Sequence, residues 1–156
     1  MTAGFVIRRA RPADDPAVAR ELAEYLTFIG DTLDPEGLDH DIVHWQEEYD
    51  GRCGVLLLVV DPAGEVLGTA AVRVLEPGVG ELKRMWLRPA CQGQGLGRRL
   101  LDASLLEARS LGCRALRLDS QIKLAAAVHL YRVNGFQEIP RYNDNPRADI
   151  WMERAL

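Results

Sequence analysis

The sequence predicts an α/β fold of the α+β kind, in which helices pack on one mixed sheet. The elements follow the order β-α-α-β-β-β-α-β-α-β-β, so a meander of hairpin-connected strands precedes a part where strands and helices alternate. A doubly wound sheet would alternate throughout. The length of 156 residues, with 47% hydrophobic and 27% charged residues, fits one soluble domain. We therefore expect a single domain over residues 1–156.

The N-terminal half is predicted to form a strand, two helices and a hairpin. FVIRRA is the first strand. ADDPAVARELAEYLTFIG is a helix, because Asp14 or Asp15 can cap it and Pro16 suits its first turn. A second, more polar helix is expected from about Glu36 to Tyr49. GVLLLVVD and EVLGTAAVRVLE are strands joined by the turn PAGE.

The C-terminal half alternates strands and helices after the turn PGVG. ELKRMWLRP is a strand that Pro89 closes, and a glycine-rich stretch then leads into a helix that ends near Leu111. CRALRLDS is a strand, and KLAAAVHLYRVNG is a helix with Gly135 as its C-terminal signal. FQEIPRY and ADIWMERAL are expected to be the closing strands.

Charge and hydropathy exclude several classes of partner. The net charge of −4 argues against a protein that binds nucleic acid through its overall charge. The longest strongly apolar run, VLLLVV, is far shorter than a membrane span, so no membrane partner is expected. The apolar run in MTAGFVIRRA is too short for a signal peptide. We expect a soluble, cytoplasmic protein.

The cysteines and histidines do not predict a metal site. Cys53, Cys91 and Cys113 form no CxxC pair. His40 and His44 are one helical turn apart, but the glutamate of an HExxH zinc motif is missing. We expect these histidines to lie on a solvated helix face, and Cys91 to serve packing.

Three glycines at alternate positions precede the predicted helix that ends near Leu111. A helix N-terminus offers unpaired N–H groups and partial positive charge, and glycines before it let a ligand approach the backbone. Gly93, Gly95 and Gly97 therefore indicate a phosphate site, or else a plain tight turn. A P-loop is excluded because no Lys-Ser/Thr pair follows, and a GxGxxG dinucleotide motif fails at Arg98.

The glycine stretch and a second motif together resemble a known family. Residues 92–97, QGQGLG, match the Q/R-x-x-G-x-G/A signature of the GNAT superfamily of N-acetyltransferases, and AAAVHLYRVNGF is similar to that family's A-x-x-L-Y-x-x-x-G-F segment. The closing RYNDNPRADIWMERAL is similar to a group of uncharacterised bacterial members. The resemblance covers nearly the whole chain. It implies the GNAT acyl-CoA N-acyltransferase fold, acetyl transfer to an amine, and acetyl-CoA as co-substrate.

The resemblance also implies where acetyl-CoA binds. Backbone amides of residues 93–98 would hold the pyrophosphate, and the strand before the loop would pair with the pantetheine arm. A backbone N–H near Met85 would polarise the acetyl carbonyl. Arg98 would add charge, unless it belongs to a solvated helix face. The implied cofactor residues are Met85, Trp86, Leu87, Gln92, Gly93, Gln94, Gly95, Leu96, Gly97 and Arg98.

Two residues are candidates for proton transfer. Tyr131 stands where the family often has its general acid, although a core aromatic is the alternative. Glu81 matches the position of a general base in some members, although an ordinary strand-end carboxylate is the alternative. A base matters because only about one lysine-type amine in a thousand is neutral at pH 7. Leu124 replaces an asparagine that many members use to contact coenzyme A.

The acceptor is the least determined part. The resemblance implies a pocket between the first two helices and the loop of the last strands, formed by Phe28, Asp31, Asp34, Trp45, Tyr142, Asn143 and Asp144. Their carboxylates could attract a cationic amine, but turn chemistry explains Asp-Pro and Asn-Asp equally simply and is preferred. The amine could be a small molecule or a protein. An acyl-CoA-binding sensor without turnover is the alternative function, and a homodimer is a possible assembly.

Overall fold

The structure is a computed structural model that describes residues 3–156. Its seven strands form one sheet in the order β1-β2-β3-β4-β5-β7-β6. The strands are β1 (Val6–Arg9), β2 (Gly54–Val60), β3 (Val66–Glu76), β4 (Val79–Leu87), β5 (Ala115–Ser120), β6 (Gln137–Glu138) and β7 (Ile150–Ala155). The helices are α1 (Asp15–Ile29), α2 (His40–Val43), α3 (Trp45–Glu48), α4 (Leu96–Ser110) and α5 (Ala125–Val133).

This order confirms the mixed α/β class and the predicted sequence of elements, with one strand and one helix corrected. The strand expected over FQEIPRY covers only Gln137–Glu138. The helix expected from Glu36 to Tyr49 is two short helices, α2 and α3. The chain breaks at His44, whose φ of −104° and ψ of 35° leave the helical region. Before α2 the chain is a turn, in which the Asp34 carboxylate accepts the N–H of Leu38.

The sheet is antiparallel from β1 to β4 and becomes parallel where β4 meets β5. That parallel pairing is short, because it runs only from Val79 opposite Ala115 to Leu82 opposite Leu118. Beyond Leu82, β4 stays paired with β3 but has no register partner in β5. The remaining part of β4 therefore presents one edge that no neighbouring strand covers.

A bulge in β4 coincides with this separation. Between Thr69 opposite Trp86 and Ala71 opposite Lys83, one residue of β3 faces two of β4. Arg84 lies inside the bulge with φ of +57°, the only positive φ at a non-glycine residue in the described chain. The Thr69 hydroxyl donates to the Arg84 carbonyl at 2.7 Å and holds the distorted backbone.

Apolar side chains pack on both faces of the sheet. One cluster joins β2–β5 and β7 to α4 and α5, and a second joins α1–α3 to the other face of β2 and β3. All seven residues of β2 are buried, as expected of a central strand covered on both sides. Within residues 3–156, every helix is too short or too polar to traverse a bilayer.

Candidate active site

A cavity of about 580 Å³ lies between the uncovered part of β4, the start of α4 and one side of α5. Eight of the ten predicted cofactor residues line it: Met85, Trp86, Leu87, Gln92, Gly93, Gly95, Gly97 and Arg98. The side chains of the other two point elsewhere. Gln94 donates from Nε2 to the Ala90 carbonyl at 3.1 Å, and Leu96 is fully buried in the core.

The glycine loop leaves room in front of the α4 N-terminus. Gly93 and Gly95 have φ of +77° and +80°, and a Cβ at either would meet no atom within 4 Å. Gly97 is different, because its Cβ would lie 3.3 Å from Leu130 of α5. The first α4 bond runs from the Arg99 N–H to the Gly95 carbonyl, so the amides before Arg99 precede the helical ladder. The loop thus combines open space with helix-terminal donors, as an anion site requires.

Aromatic rings form one wall of this cavity. Trp86 contacts Tyr25 edge-on, with centroids 5.7 Å apart, and Phe28 at 5.3 Å. Trp86 Nε1 is buried and has no hydrogen-bond partner among residues 3–156. On the α5 side the wall is mostly apolar, with two basic side chains; it consists of Lys123, Leu124, Ala125, Ala126, Ala127, His129, Leu130 and Val133. The site is therefore mainly apolar beyond its glycine end.

A second cavity, of about 430 Å³, lies beside the first. The two share Tyr25, Met85, Leu124 and Ala127 as lining residues. Both catalytic candidates, Glu81 and Tyr131, line the second cavity only. The arrangement has two adjoining compartments that meet beside Met85, at the separated part of β4.

Tyr131 is buried, and its ring packs edge-on against Phe136 with centroids 5.7 Å apart. Burial raises the pKa of Tyr131, so the phenol is protonated at neutral pH. No group in residues 3–156 hydrogen-bonds to its hydroxyl. The ring therefore belongs to the core, while the residue lines the second cavity.

Glu81 is also buried, and donors occupy both of its carboxylate oxygens. Arg73, directly opposite on β3, donates from Nε to Oε1 at 3.0 Å. The Tyr142 hydroxyl donates to Oε2 at 2.8 Å. Burial and the Glu81 charge raise the pKa of Tyr142, which keeps this donor protonated. Glu81 is fixed in place, with part of its acceptor capacity already used.

The predicted acceptor residues occupy different environments. Asn143 and Asp144 line the second cavity, whereas Phe28 lines the first. The remaining four, Asp31, Asp34, Trp45 and Tyr142, are not on the wall of the second cavity. Trp45 is in the core and donates to Asp15 at 2.8 Å, and Asp34 closes the turn before α2.

Sequence reasoning missed a group of charged residues that joins three distant segments. Arg84 donates to Asp39 at 2.8 Å and also binds Asp41. Arg147, in the loop before β7, donates to Asp39 at 2.8 Å and to Asp31 at 2.8 Å. We call Asp39, Asp41, Arg84 and Arg147 the charge clasp. It fixes the walls of the second cavity to one another.

The clasp strongly favours the ionised carboxylate at its centre. Asp39 is fully buried. Burial alone would raise the pKa of Asp39, but hydrogen bonds from Arg147, the Asp34 amide and Arg84 outweigh it and lower the pKa to about 2. Burial lowers the pKa of Arg84, but the charge and hydrogen bonds of Asp41, together with those of Asp39, outweigh it and raise that pKa. No sequence motif marks this group, since its members lie up to 108 positions apart.

Glu36, His40 and His44 come together beside α2, away from the glycine loop. Their ligand atoms lie within 4.8 Å of one another, and the two imidazole centroids are 4.4 Å apart. His44 Nε2 is buried and has no hydrogen-bond partner in the described part of the chain. The helix face expected to be solvated is therefore partly covered. The HExxH comparison missed Glu36, because this residue precedes α2.

Fold and site together define a class of protein: a mixed α/β domain with two adjoining cavities beside the uncovered edge of β4. A family model described as acetyltransferase (GNAT) matches residues 17–136. The chain therefore belongs to the GNAT acetyltransferase family. Relatives that match most of the chain are named acetyltransferases, two of them N-acetyltransferases, and the chain is an N-acetyltransferase.

Two relatives illustrate the range within the family. The chain is similar to an IAA acetyltransferase of Azospirillum brasilense, with 32% identity over 96% of this chain and 97% of the relative. It is also similar to an aminoglycoside N(6′)-acetyltransferase type 1 of Stenotrophomonas maltophilia, with 33% identity over 86% of this chain and 88% of the relative. These names differ in acceptor, so the family alone does not determine the substrate.

Solved structures share the fold. An acetyltransferase of the GNAT family from Staphylococcus aureus Mu50 superposes with a TM-score of 0.87 and 18% identity, covering 97% of this chain and 98% of that chain. The acetyltransferase yncA from Salmonella typhimurium, whose structure includes its cofactor acetyl-CoA, superposes with a TM-score of 0.75 and 22% identity over 97% of this chain and 94% of that chain.

Proposed function

We propose that the protein transfers an acetyl group from acetyl-CoA to a primary amine by direct attack within a ternary complex. The observation that carries this proposal is the pair of cavities that share Tyr25, Met85, Leu124 and Ala127. One cavity begins at the helix-terminal anion site, and the other contains the titratable side chains. Donor and acceptor can therefore be bound together and meet beside Met85, as direct transfer requires.

The larger cavity fits acetyl-CoA by the chemistry of its walls. The loop at Gly93 and Gly95 offers backbone donors without side chains in front of them, which suits a pyrophosphate. The uncovered edge of β4 offers backbone groups to an extended amide-containing arm. The structure of yncA has the same fold and includes acetyl-CoA, which supports assigning this cavity to acetyl-CoA. Bound acetyl-CoA would supply the acetyl group as an activated thioester.

Groups of the protein stabilise the oxyanion, protonate the leaving thiolate and accept the proton of the amine. A backbone N–H near Met85 stabilises the oxyanion. Tyr131 Oη is protonated and has no hydrogen-bond partner within residues 3–156, and it donates its proton to the departing sulfur. Glu81 accepts the proton of the amine through a water molecule, because its direct acceptor positions face Arg73 and Tyr142. The aminoglycoside acetyltransferase relative supports an amine as acceptor.

A two-part experiment tests this function. Isothermal titration with acetyl-CoA measures binding, and a thiol-release assay over a panel of amines measures transfer in the same preparation. We expect binding and coenzyme A release that depends on both the amine and the enzyme. Binding without release for any amine would favour an acyl-CoA sensor, and absence of binding would refute the assignment of the glycine loop.

A further inference from the structure

Lys83 and Asp119 lie on opposite sides of the gap between β4 and β5. The last paired residues are Leu82 and Leu118, and both are buried in the core. Side chains alternate along a strand, so the next residues project to the other face. These are Lys83 on β4 and Asp119 on β5, and both line the second cavity. The separation of the strands thus places a cation and a carboxylate on opposite edges of one pocket.

Lys83 has unused hydrogen-bonding capacity. Its side chain is only 24% exposed, and Lys83 Nζ lies 4.0 Å from Asp41 Oδ2, its ion-pair partner. Asp41 is already bound by Arg84 and by the Tyr49 hydroxyl. No acceptor in residues 3–156 lies within hydrogen-bond distance of Lys83 Nζ. Because Lys83 lines the second cavity, its three donors are available to a ligand or to water in that space.

Arg73 adds a second cation on the same wall. It lies opposite Glu81 on β3, two residues after Ala71, which faces Lys83. Its Nε and Nη2 both contact the same oxygen of Glu81, each at 3.0 Å. The described chain provides no hydrogen-bond acceptor for Nη1. Arg73 is close enough to Lys83 to lower the pKa of Lys83, in the same direction as burial. This part of the pocket therefore has an excess of donors.

Asp119 provides the opposite charge close to the junction of the cavities. Its two oxygens accept amide hydrogens from Asn143 at 2.6 Å and Asn145 at 3.2 Å. A carboxylate can accept further hydrogen bonds at each oxygen. Asp119 lines the second cavity together with Tyr25, which both cavities share. Burial raises the pKa of Tyr25, and the charge of Asp119 adds to that rise. An ammonium group held by Asp119 would therefore lie near the site of transfer.

The charged side chains that line the second cavity limit which net charge a ligand can carry. Five carboxylates and four cations line the second cavity, so it is nearly neutral. Among these groups Arg73 pairs with Glu81, and Arg84 pairs with Asp41. Lys83 is the cation of this wall that has no hydrogen-bonded partner within residues 3–156. A doubly charged anion such as a phosphate monoester would meet repulsion from the surrounding carboxylates. A molecule that carries one positive and one negative group fits both edges.

We propose that the acceptor is a small zwitterion with a primary amine and a carboxylate, of the amino-acid type. Lys83, assisted by Arg73, binds the carboxylate, and Asp119 receives the ammonium group before it loses its proton. This inference rests on the proposed function for the transfer step. It goes beyond that function by naming the chemical class of acceptor and a residue that selects it.

The experiment compares each amino acid with its own carboxamide, which keeps the amine and removes the negative charge. The enzymes are the wild type, Lys83→Met, Lys83→Arg and the control Arg52→Gln. Arg52 is an exposed arginine outside both cavities, so its variant tests the loss of one positive charge elsewhere. Initial rates come from thiol release, and calorimetry measures the binding of acetyl-CoA and of the amino acid separately.

We expect the wild type to prefer at least one amino acid over its carboxamide. Lys83→Met should lower kcat/KM for that amino acid by roughly 10- to 150-fold, mainly through KM, because a hydrogen bond to a charged group is lost. The carboxamide should be unaffected, and Lys83→Arg should restore part of the preference. The Kd for acetyl-CoA should not change, and Arg52→Gln should behave as the wild type.

Several results would overturn the inference. Equal use of amino acids and carboxamides by the wild type would do so, as would an equal loss for both in Lys83→Met. A preference for amines without a carboxylate would refute the acceptor class and leave acetyl transfer intact. If no amine is acetylated, the proposed function fails. Calorimetry then tests the amino-acid site by itself. Binding of the amino acid that is lost in Lys83→Met supports the site, and absence of binding to the wild type refutes it.

Discussion

Replacing Gly95 with alanine tests whether this glycine serves only the backbone conformation of the loop before α4 or also leaves room for a ligand. Gly95 has φ of +80° at the N-terminal end of α4, and a Cβ there would meet no protein atom within 4 Å. The fold therefore loses only the backbone preference, about 1 to 2 kcal/mol for an L-residue in the left-handed region. For a chain of this length, Tm should fall by roughly 2–8 °C.

The cost to ligand binding should be larger and specific to this position. The new methyl group points into the open space where we place the pyrophosphate, and it would block at least one backbone hydrogen bond to a charged oxygen. Such a bond contributes about 1.5–3 kcal/mol, so the Kd for acetyl-CoA should rise roughly 10- to 150-fold. Calorimetric titration measures this Kd, and differential scanning calorimetry measures Tm.

Gly112 provides the matched control. It has φ of +85°, and a Cβ there also meets nothing within 4 Å, but it follows the far end of α4. Gly112→Ala should show the same loss of Tm with an unchanged Kd for acetyl-CoA. Equal Kd values for the two variants would refute the argument, because the loop would then be only a turn.

Three further predictions concern the chemistry and the clasp. Tyr131→Phe should lower kcat by roughly 100-fold or more in the thiol-release assay, with an unchanged Kd for acetyl-CoA; unchanged kcat would make Tyr131 a core aromatic only. Cys91→Ser should keep most activity, because Cys91 is buried and burial raises the pKa of its thiol; loss of activity would argue for a covalent intermediate. The pKa of Asp39, about 2 against an ordinary 3.8, means that its contribution to stability is complete above about pH 4 to 5 and is lost as the pH falls towards 2. Urea unfolding at stepped pH should show this decline in the wild type and a flatter one in Asp39→Asn; identical slopes would contradict the role of the clasp.

The order of elements was predictable because each element has a local signal. The continuous apolar run of β2 and the helical spacing after Pro16 are readable without tertiary information. The same holds for the glycine loop, where glycine chemistry and the following helix are adjacent in sequence. The break at His44 was not predictable, since no glycine or proline marks it and helical periodicity continues on both sides.

The pocket that we assign to the acceptor was much less predictable than the cavity that we assign to the cofactor. Its walls come from the turn before α2, from β3, β4 and the end of β5, from α5 and from the loop before β7, so the relevant residues meet only after folding. Asp31 was predicted on the acceptor wall, but the structure pairs it with Arg147 instead. Nothing in the sequence indicates a role for Lys83. Only the structure shows that the nearby carboxylate, Asp41, is bound by other residues, so that the ammonium group of Lys83 lacks a hydrogen-bonded partner within residues 3–156.

Arg84 creates a conflict that protein engineers will meet at this position. A glycine would relieve the backbone preference, about 1 to 2 kcal/mol at φ of +57°, and stability design based on backbone geometry alone would select it. The same change would remove the guanidinium that binds Asp39 and Asp41 and would leave buried carboxylates short of a partner, which costs about 3–5 kcal/mol. Arg84 therefore affects both the stability of the protein and the shape of the second cavity. A stabilised variant of this enzyme is better sought at sites remote from β4.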